Sequence, residues 1–254
     1  MTFVVRAPRN RLLEPLIDHL WYCEVDGAAG TETLLPTGRS QLVLGLHAEH
    51  PLAVVQGPST RHRVIDAAAQ RRAVGVAFRV GALAACTPLD GAELTDELVT
   101  VEDIWGGGLR SLADEVQALT TVDDVFTRVE AQVARWAMRH GGSVAPTVVA
   151  AAARLGAQRP VAEVADTLDV DRRRLSRQFR SSVGIGLKHY GRLRRFESAV
   201  RAVRAPEPLP LGRLAVELGY ADQAHLTREF RHFAALTPAE LHGDGSPSPT
   251  HVVG

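Results

Sequence analysis

Leu175-Ser-Arg-Gln-Phe-Arg180 recurs as Leu226-Thr-Arg-Glu-Phe-Arg231, and each copy follows a second matched segment, Val161-Ala-Glu-Val-Ala165 or Leu211-Gly-Arg-Leu-Ala215. The offset between copies is 50 residues in the first segments and 51 in the second, so the later copy holds one extra residue in its turn. A repeat at a fixed period reports architecture directly, because each copy must be one supersecondary unit. Apolar residues spaced three and four apart predict a short helix in each copy, with inner faces Val161, Val164, Ala165, Leu168 and Leu211, Leu214, Ala215, Leu218. Asp169-Val-Asp171 and Gly219-Tyr-Ala-Asp222 are the turns, with Asp171 placed to cap the longer helix that follows. Leu175 and Phe179, then Leu226 and Phe230, are the inner pairs of the long helices. Pro160 and Pro210 are expected in the first turn of the short helices. Two helix-turn-helix units in tandem make double-stranded DNA the first candidate partner.

The outer faces carry the chemistry. Arg173, Ser176, Arg177 and Arg180 fall at i, i+3, i+4 and i+7, on the side opposite Leu175 and Phe179. Guanidinium groups pair bidentately with guanine and a serine hydroxyl adapts to several acceptors, so this stripe suits a major groove. Arg172 and Arg174 flank it and are expected on phosphates. In the second copy the stripe is Ala224, Thr227, Arg228 and Arg231, with Gln223 and His225 beside it. Arg173 therefore has no charged counterpart, and the first copy should grip more strongly. A connector helix from about Leu187 to Arg204 packs through Tyr190, Leu193, Phe196, Val200 and Val203, and is expected to turn Arg192, Arg194, Arg195 and Arg201 outward. Thr237-Pro-Ala-Glu240 has the form of a capping box.

Charge divides along the chain. The 254 residues carry no net charge overall, but residues 1–153 hold 13 arginines against 18 carboxylates, and residues 154–242 hold 16 basic against 10 acidic groups. A basic second half points to a nucleic-acid partner for that half. The arginine bias has a bland explanation in base composition, but that does not account for the asymmetry. No stretch reaches the 18 or so apolar residues of a spanning helix. The start, Met1-Thr-Phe-Val-Val-Arg6, lacks a signal-peptide pattern, and two cysteines, Cys23 and Cys86, form neither a disulfide framework nor a four-cysteine zinc site. A cytoplasmic, nucleoid-associated protein is the expectation.

The first half reads as β-rich, a barrel or sandwich followed by helices. Strands are predicted at Gln41–Leu46, Leu52–Gln56, Arg61–Ile65 and Ala73–Phe78, with Leu34-Leu-Pro-Thr-Gly38 a strand end and turn, and a helix or strand entry over residues 10–23. Helices follow over residues 109–119 and from Thr121, whose side chain is a plausible cap. Val122, Val125, Phe126, Val129, Val133, Trp136 and Ala137 make one stripe of that last helix, serving as core or as a homodimer seam. Gly141-Gly-Ser143 is the predicted boundary between a sensor and dimerisation domain, 1–141, and a DNA-binding domain, 144–242, with a disordered tail, 243–254. The overall class is α+β.

From about Val161 to Leu241 the chain resembles the AraC family of transcriptional regulators. The resemblance rests on the alanine of each short helix, Gly219-Tyr220 with Asp222, the two Leu-x-Arg-x-Phe-Arg segments and Thr237-Pro238. It implies that the second helix of each unit enters the major groove, which by matching positions implicates Arg173, Ser176, Arg177, Ala224, Thr227 and Arg228. Ala235 stands where a glycine usually precedes the final Thr-Pro. Trp21-Tyr22, Leu34-Leu-Pro-Thr-Gly38, Gly75-Val-Ala-Phe-Arg79 and Asp103-Ile-Trp-Gly106 resemble the sensor-side domain of such regulators, with Val80-Gly81 replacing a usual Pro-Gly. A small-molecule effector is implied, of unknown identity.

Competing readings are a DNA-repair alkyltransferase or glycosylase that borrows the module, and a ligand-binding protein whose DNA domain is degenerate. The first needs an activated cysteine or a base-flipping pocket, and Cys86 has no basic neighbour in sequence. His47, Glu49 and His50 form the one tight set of possible metal ligands, and with Pro51 following they read more simply as a solvated turn. No catalytic residues, metal or cofactor are expected.

Overall fold

Alternating apolar and small residues lay down eight strands: β1 (Thr2–Arg6), β2 (Ile17–Glu24), β3 (Thr31–Leu34), β4 (Gln41–Gly45), β5 (Leu52–Gln56), β6 (Arg63–Asp66), β7 (Arg72–Phe78) and β8 (Leu98–Thr100). This is a computed structural model, and it describes residues 2–24, 31–46, 52–66, 72–106, 110–156 and 159–243. Six strands form one antiparallel sheet in the order β1-β2-β7-β4-β5-β8, while β3 and β6 pair separately. Gly75 at the middle of β7 lies opposite Trp21. A Cβ there would sit 2.2 Å from the indole, so glycine is what lets the tryptophan lie across the strand and donate to Gln41.

The sheet buries both faces. Leu20, Tyr22, Leu42, Leu44, Val74, Val76 and Phe78 pack in one core with the helices α1 (Val101–Trp105), α2 (Arg110–Gln117) and α3 (Val122–His140). Trp21, Cys23, Val43, Val54 and Ala73 form a smaller cluster on the reverse face. Thr121 caps α3 as expected, accepting from the Asp124 amide, and Gly141 closes it in the left-handed conformation. Val125, Phe126, Val129, Val133 and Trp136 are all buried in the first core, each worth about 1.5–3 kcal/mol over exposure. Trp136 stacks on Trp105 with ring centroids 4.0 Å apart. The α3 stripe is thus consumed by packing and leaves no free seam. Residues 10–23 resolve into a 3-10 turn (Arg11–Leu13) and then β2. After Gly81 come two 3-10 turns, at Leu83–Ala85 and Gly91–Leu94, and the edge strand β8.

Among its described residues the second half holds only helices: α4 (Pro146–Gly156), α5 (Val161–Thr167), α6 (Arg172–Val183), α7 (Leu187–Val203), α8 (Leu211–Glu217), α9 (Gln223–Ala234) and α10 (Pro238–Gly243). They share a second core, to which the first half contributes Leu35. Residues beyond Gly243, where a disordered tail was expected, lie outside the described residues, as do His47, Glu49 and His50.

Candidate nucleic-acid interface

Both repeats build the same turn from different letters. After α5 the Val170 amide donates to the Ala165 carbonyl, and after α8 the Tyr220 amide donates to the Ala215 carbonyl. This is the six-residue closure of a Schellman motif, which needs a left-handed residue just past the helix. Asp169 (φ 50°) and Gly219 (φ 69°) supply it. Asp171 then caps α6 by accepting from the Arg174 amide, and Asp222 caps α9 by accepting from the His225 amide. Ala221 is the extra residue of the second copy, inserted between closure and cap. Pro160 and Pro210 sit one position earlier than expected, as the cap residues themselves.

The α6 face is free. Arg172, Arg173, Arg174, Ser176, Arg177 and Arg180 are all exposed, while Leu175 and Phe179 are buried. Among the described residues no carboxylate forms an ion pair with any of these five arginines. Four carboxylates of this half are paired with other arginines: Glu163 with Arg159, Glu197 with Arg194, Glu217 with Arg213 and Glu229 with Arg192. Arg172, Ser176 and Arg180 also line an open groove of about 820 Å³, whose opposite wall carries Lys188, His189 and Arg192. Lys188 was not singled out from the sequence.

The α9 face is quieter. Gln223, Ala224, Arg228 and Arg231 are exposed, and Thr227 is half-buried with its hydroxyl donating to the Gln223 carbonyl. His225 is engaged in the turn, its Nδ1 accepting from the Ala221 amide and its ring lying edge-on to Tyr220. That contact leaves Nε2 as the protonated nitrogen, available only as a donor.

Of the four connector arginines, Arg201 is exposed as expected, but the other three do not face outward. Arg192 holds Glu229 through two hydrogen bonds (2.7 and 3.2 Å) and lies over Phe233. Arg194 pairs with Glu197. Arg195 donates to the Gly219 carbonyl and lies over Tyr220. Sequence periodicity places a side chain on a face but does not reveal which neighbour awaits it. Glu229 occupies the fourth place of Leu-Thr-Arg-Glu-Phe-Arg, and in the first copy that place is Gln178, which accepts from Thr147 of α4. Helices α6 and α9 are thus each hooked to a bracing helix by the same position of the repeat. Thr237 and Glu240 form the expected capping box, with the Thr237 amide donating to the carboxylate at 2.6 Å. Those bonds lower the Glu240 pKa.

Ala235 takes the left-handed conformation (φ 57°) that a glycine would adopt without strain. The turn is retained despite the substitution.

Neither cysteine is a poised nucleophile. Both are buried, and burial pushes the Cys86 thiol up to about 11. Among the described residues no group of three or more metal-ligating side chains gathers, and no helix is long and apolar enough to cross a membrane.

Residues 164–243 match the family model of a helix-turn-helix domain, and residues 6–100 match a domain of unknown function (DUF6597). No curated protein sequence matches the chain. The C-terminal domain of AraT, a response regulator from Geobacillus stearothermophilus, is similar over 42% of this chain and 91% of its own, at 23% identity and a TM-score of 0.38. ToxT from Vibrio cholerae O395 is similar over 96% of this chain and 99% of its own, at 8% identity and a TM-score of 0.48. An unsaturated-fatty-acid-bound ToxT from strain SCE256 covers 97% of each chain at 10% identity, with a TM-score of 0.44.

Proposed function

We propose that this chain is a DNA-binding transcriptional regulator with an AraC-type helix-turn-helix domain, a reading supported by the helix-turn-helix family match over residues 164–243, and that it reads a specific operator through α6 first and α9 second. The observation that carries this reading is the α6 face, where five exposed arginines lack any described carboxylate partner. Arg173, Ser176 and Arg177 contact base edges, and Arg172, Arg174 and Arg180 meet phosphates together with Lys188 across the groove. On α9, Gln223, Ala224, His225, Thr227, Arg228 and Arg231 supply a less charged reading. Residues 1–141 serve as the sensing domain and 144–242 as the DNA-binding domain, a division supported by the two apolar cores. The protein works at the chromosome, in the cytoplasm.

A small-molecule effector has a place to bind. An open cleft of about 1230 Å³ runs between the two halves, with Leu16, Arg39 and Val80 on one wall and Val149, Tyr190 and Arg194 on the other. Homodimerisation belongs to the same reading, through a surface other than the α3 stripe. Light scattering across a concentration series tests it.

The decisive test is operator binding by the full chain, using a site obtained by selection from random duplexes. Arg177→Ala is expected to relax preference at one base position by about 1–3 kcal/mol, and affinity should fall steeply with salt. Unchanged discrimination at every position, with unchanged affinity, overturns the role given to α6.

A further inference from the structure

The two reading helices end against one feature of the first half. Gly91, in the 3-10 turn before β8, meets the end of α6 backbone to backbone. A Cβ at Gly91 would lie 2.6 Å from the Ser181 carbonyl oxygen, and one at Gly184 would lie 2.6 Å from the Gly91 carbonyl oxygen and 2.7 Å from Pro58. Asp90, which caps that turn, also accepts from the Ser181 hydroxyl at 2.6 Å. A few residues beyond Pro58, the His62 amide donates to the Phe233 carbonyl at 3.0 Å, near the end of α9. The loop 57–62 therefore touches the C-terminal ends of both reading helices.

That loop is held far more firmly than its position requires. Asp96, itself left-handed (φ 62°), accepts from the Thr60 amide and the Thr60 hydroxyl, each at 2.6 Å. Its own amide donates to the Pro58 carbonyl, and its carbonyl accepts from Arg63. On the other side the Ser59 amide donates to Thr37, and the Thr37 amide returns a bond to the Ser59 hydroxyl. Gly57 is pressed so closely on Leu94 that a Cβ would fall 1.6 Å from its carbonyl oxygen. Such a loop transmits position rather than absorbing it.

We propose that the loop 57–62, pinned by Asp96 and Thr60, is a spacing gauge: it fixes the separation of α6 and α9 and so sets the operator spacing the regulator accepts. Asp96 and Thr60 are positioning residues that never meet DNA. The connector α7 joins the two heads in series, and a joint in series leaves hinge freedom at each unit. A cross-brace anchored at both far ends removes that freedom, so the first half of the chain enters DNA recognition without a base contact. The inference rests on the operator-reading role of both helices.

The test uses the full chain and its selected operator, with one or two base pairs inserted between the sub-sites read by α6 and α9. Each inserted pair rotates one sub-site away from the other along the duplex. Wild type is expected to lose about tenfold in affinity per inserted pair, the scale of a single mismatch. Asp96→Gly, which keeps the positive φ while removing the carboxylate, is expected to lower that penalty to about threefold or less. Asp96→Asn, which keeps one acceptor, should restore part of it. Thr60→Val is the second variant, because it removes the hydroxyl donor with little change of shape. Asp96 is exposed, so its replacement opens no cavity. Base discrimination at the Arg177 position should not move in any variant. A full insertion penalty in both Asp96→Gly and Thr60→Val overturns the gauge, as does a uniform loss of affinity at every spacing. A wild type that is sequence-specific but indifferent to insertions also overturns it while leaving the regulator reading intact. A wild type without sequence-specific binding removes both.

Discussion

Replacing Arg192 by alanine isolates the contact on which the seating of α9 depends. The Glu229 side chain is 11% exposed and faces the Arg192 guanidinium through two hydrogen bonds, with the Arg192 side chain itself 37% exposed. Deleting one partner of a fully buried pair costs about 3–5 kcal/mol, because the other charge is left without compensation. Water reaches the arginine side here, so the expected loss is smaller, about 2–3 kcal/mol, including the contact with Phe233. Glu229→Gln should cost less, since an amide can keep one bond to the guanidinium, and Gln178 fills the matching place in the first copy. Equilibrium urea unfolding of both variants measures this. A loss under about 1 kcal/mol at pH 7 refutes the view that this pair carries α9.

Three other outcomes follow from single features. Ala235→Gly should raise the unfolding free energy by about 0.5–1 kcal/mol, because relief of a left-handed alanine exceeds the added freedom of the unfolded chain; thermal melts read this as an increase in Tm. Tyr220→Phe should leave stability unchanged or raise it by up to about 1 kcal/mol, since the buried hydroxyl has no hydrogen-bond partner among the described residues. Urea titration shows the sign, and a loss above about 1 kcal/mol would mean the hydroxyl is satisfied. Asp18 is held down to about 2, chiefly by its hydrogen bond with His19 and then by Arg39. A carboxyl with a lowered folded pKa stabilises above its unfolded value and loses that contribution as the pH falls from about 4 towards 2. The Tm difference between wild type and Asp18→Asn should therefore narrow over that window, and a constant difference would show that charge is not its origin.

The helical half was legible because its determinants are local. Three-and-four spacing, an aspartate before each long helix and the Thr237–Glu240 box depend on residues within one or two turns, and comparing the copies exposes Gln178 and Glu229 as equivalents. Arg192 and Arg195 were misread because their partners lie outside the connector helix. The strands with alternation, β4, β5 and β7, were legible too. β1 and β8 were not, since edge strands carry mixed side chains and β8 is only three residues long. The contact between the halves left no pattern to read. Gly57, Gly91 and Gly184 matter there for the side chains they lack, and that is apparent only once the neighbours are in place.

Lys188 is the only lysine in the sequence, and it stands on the wall of the basic groove facing Arg172 and Arg180. An amine-directed reagent therefore meets one ε-amino group in the whole molecule. Acylation of that amine, counted by mass, gives a native reporter of groove occupancy without any engineered label. It also means that a single acetyl group would remove the chain's only lysine charge from beside α6.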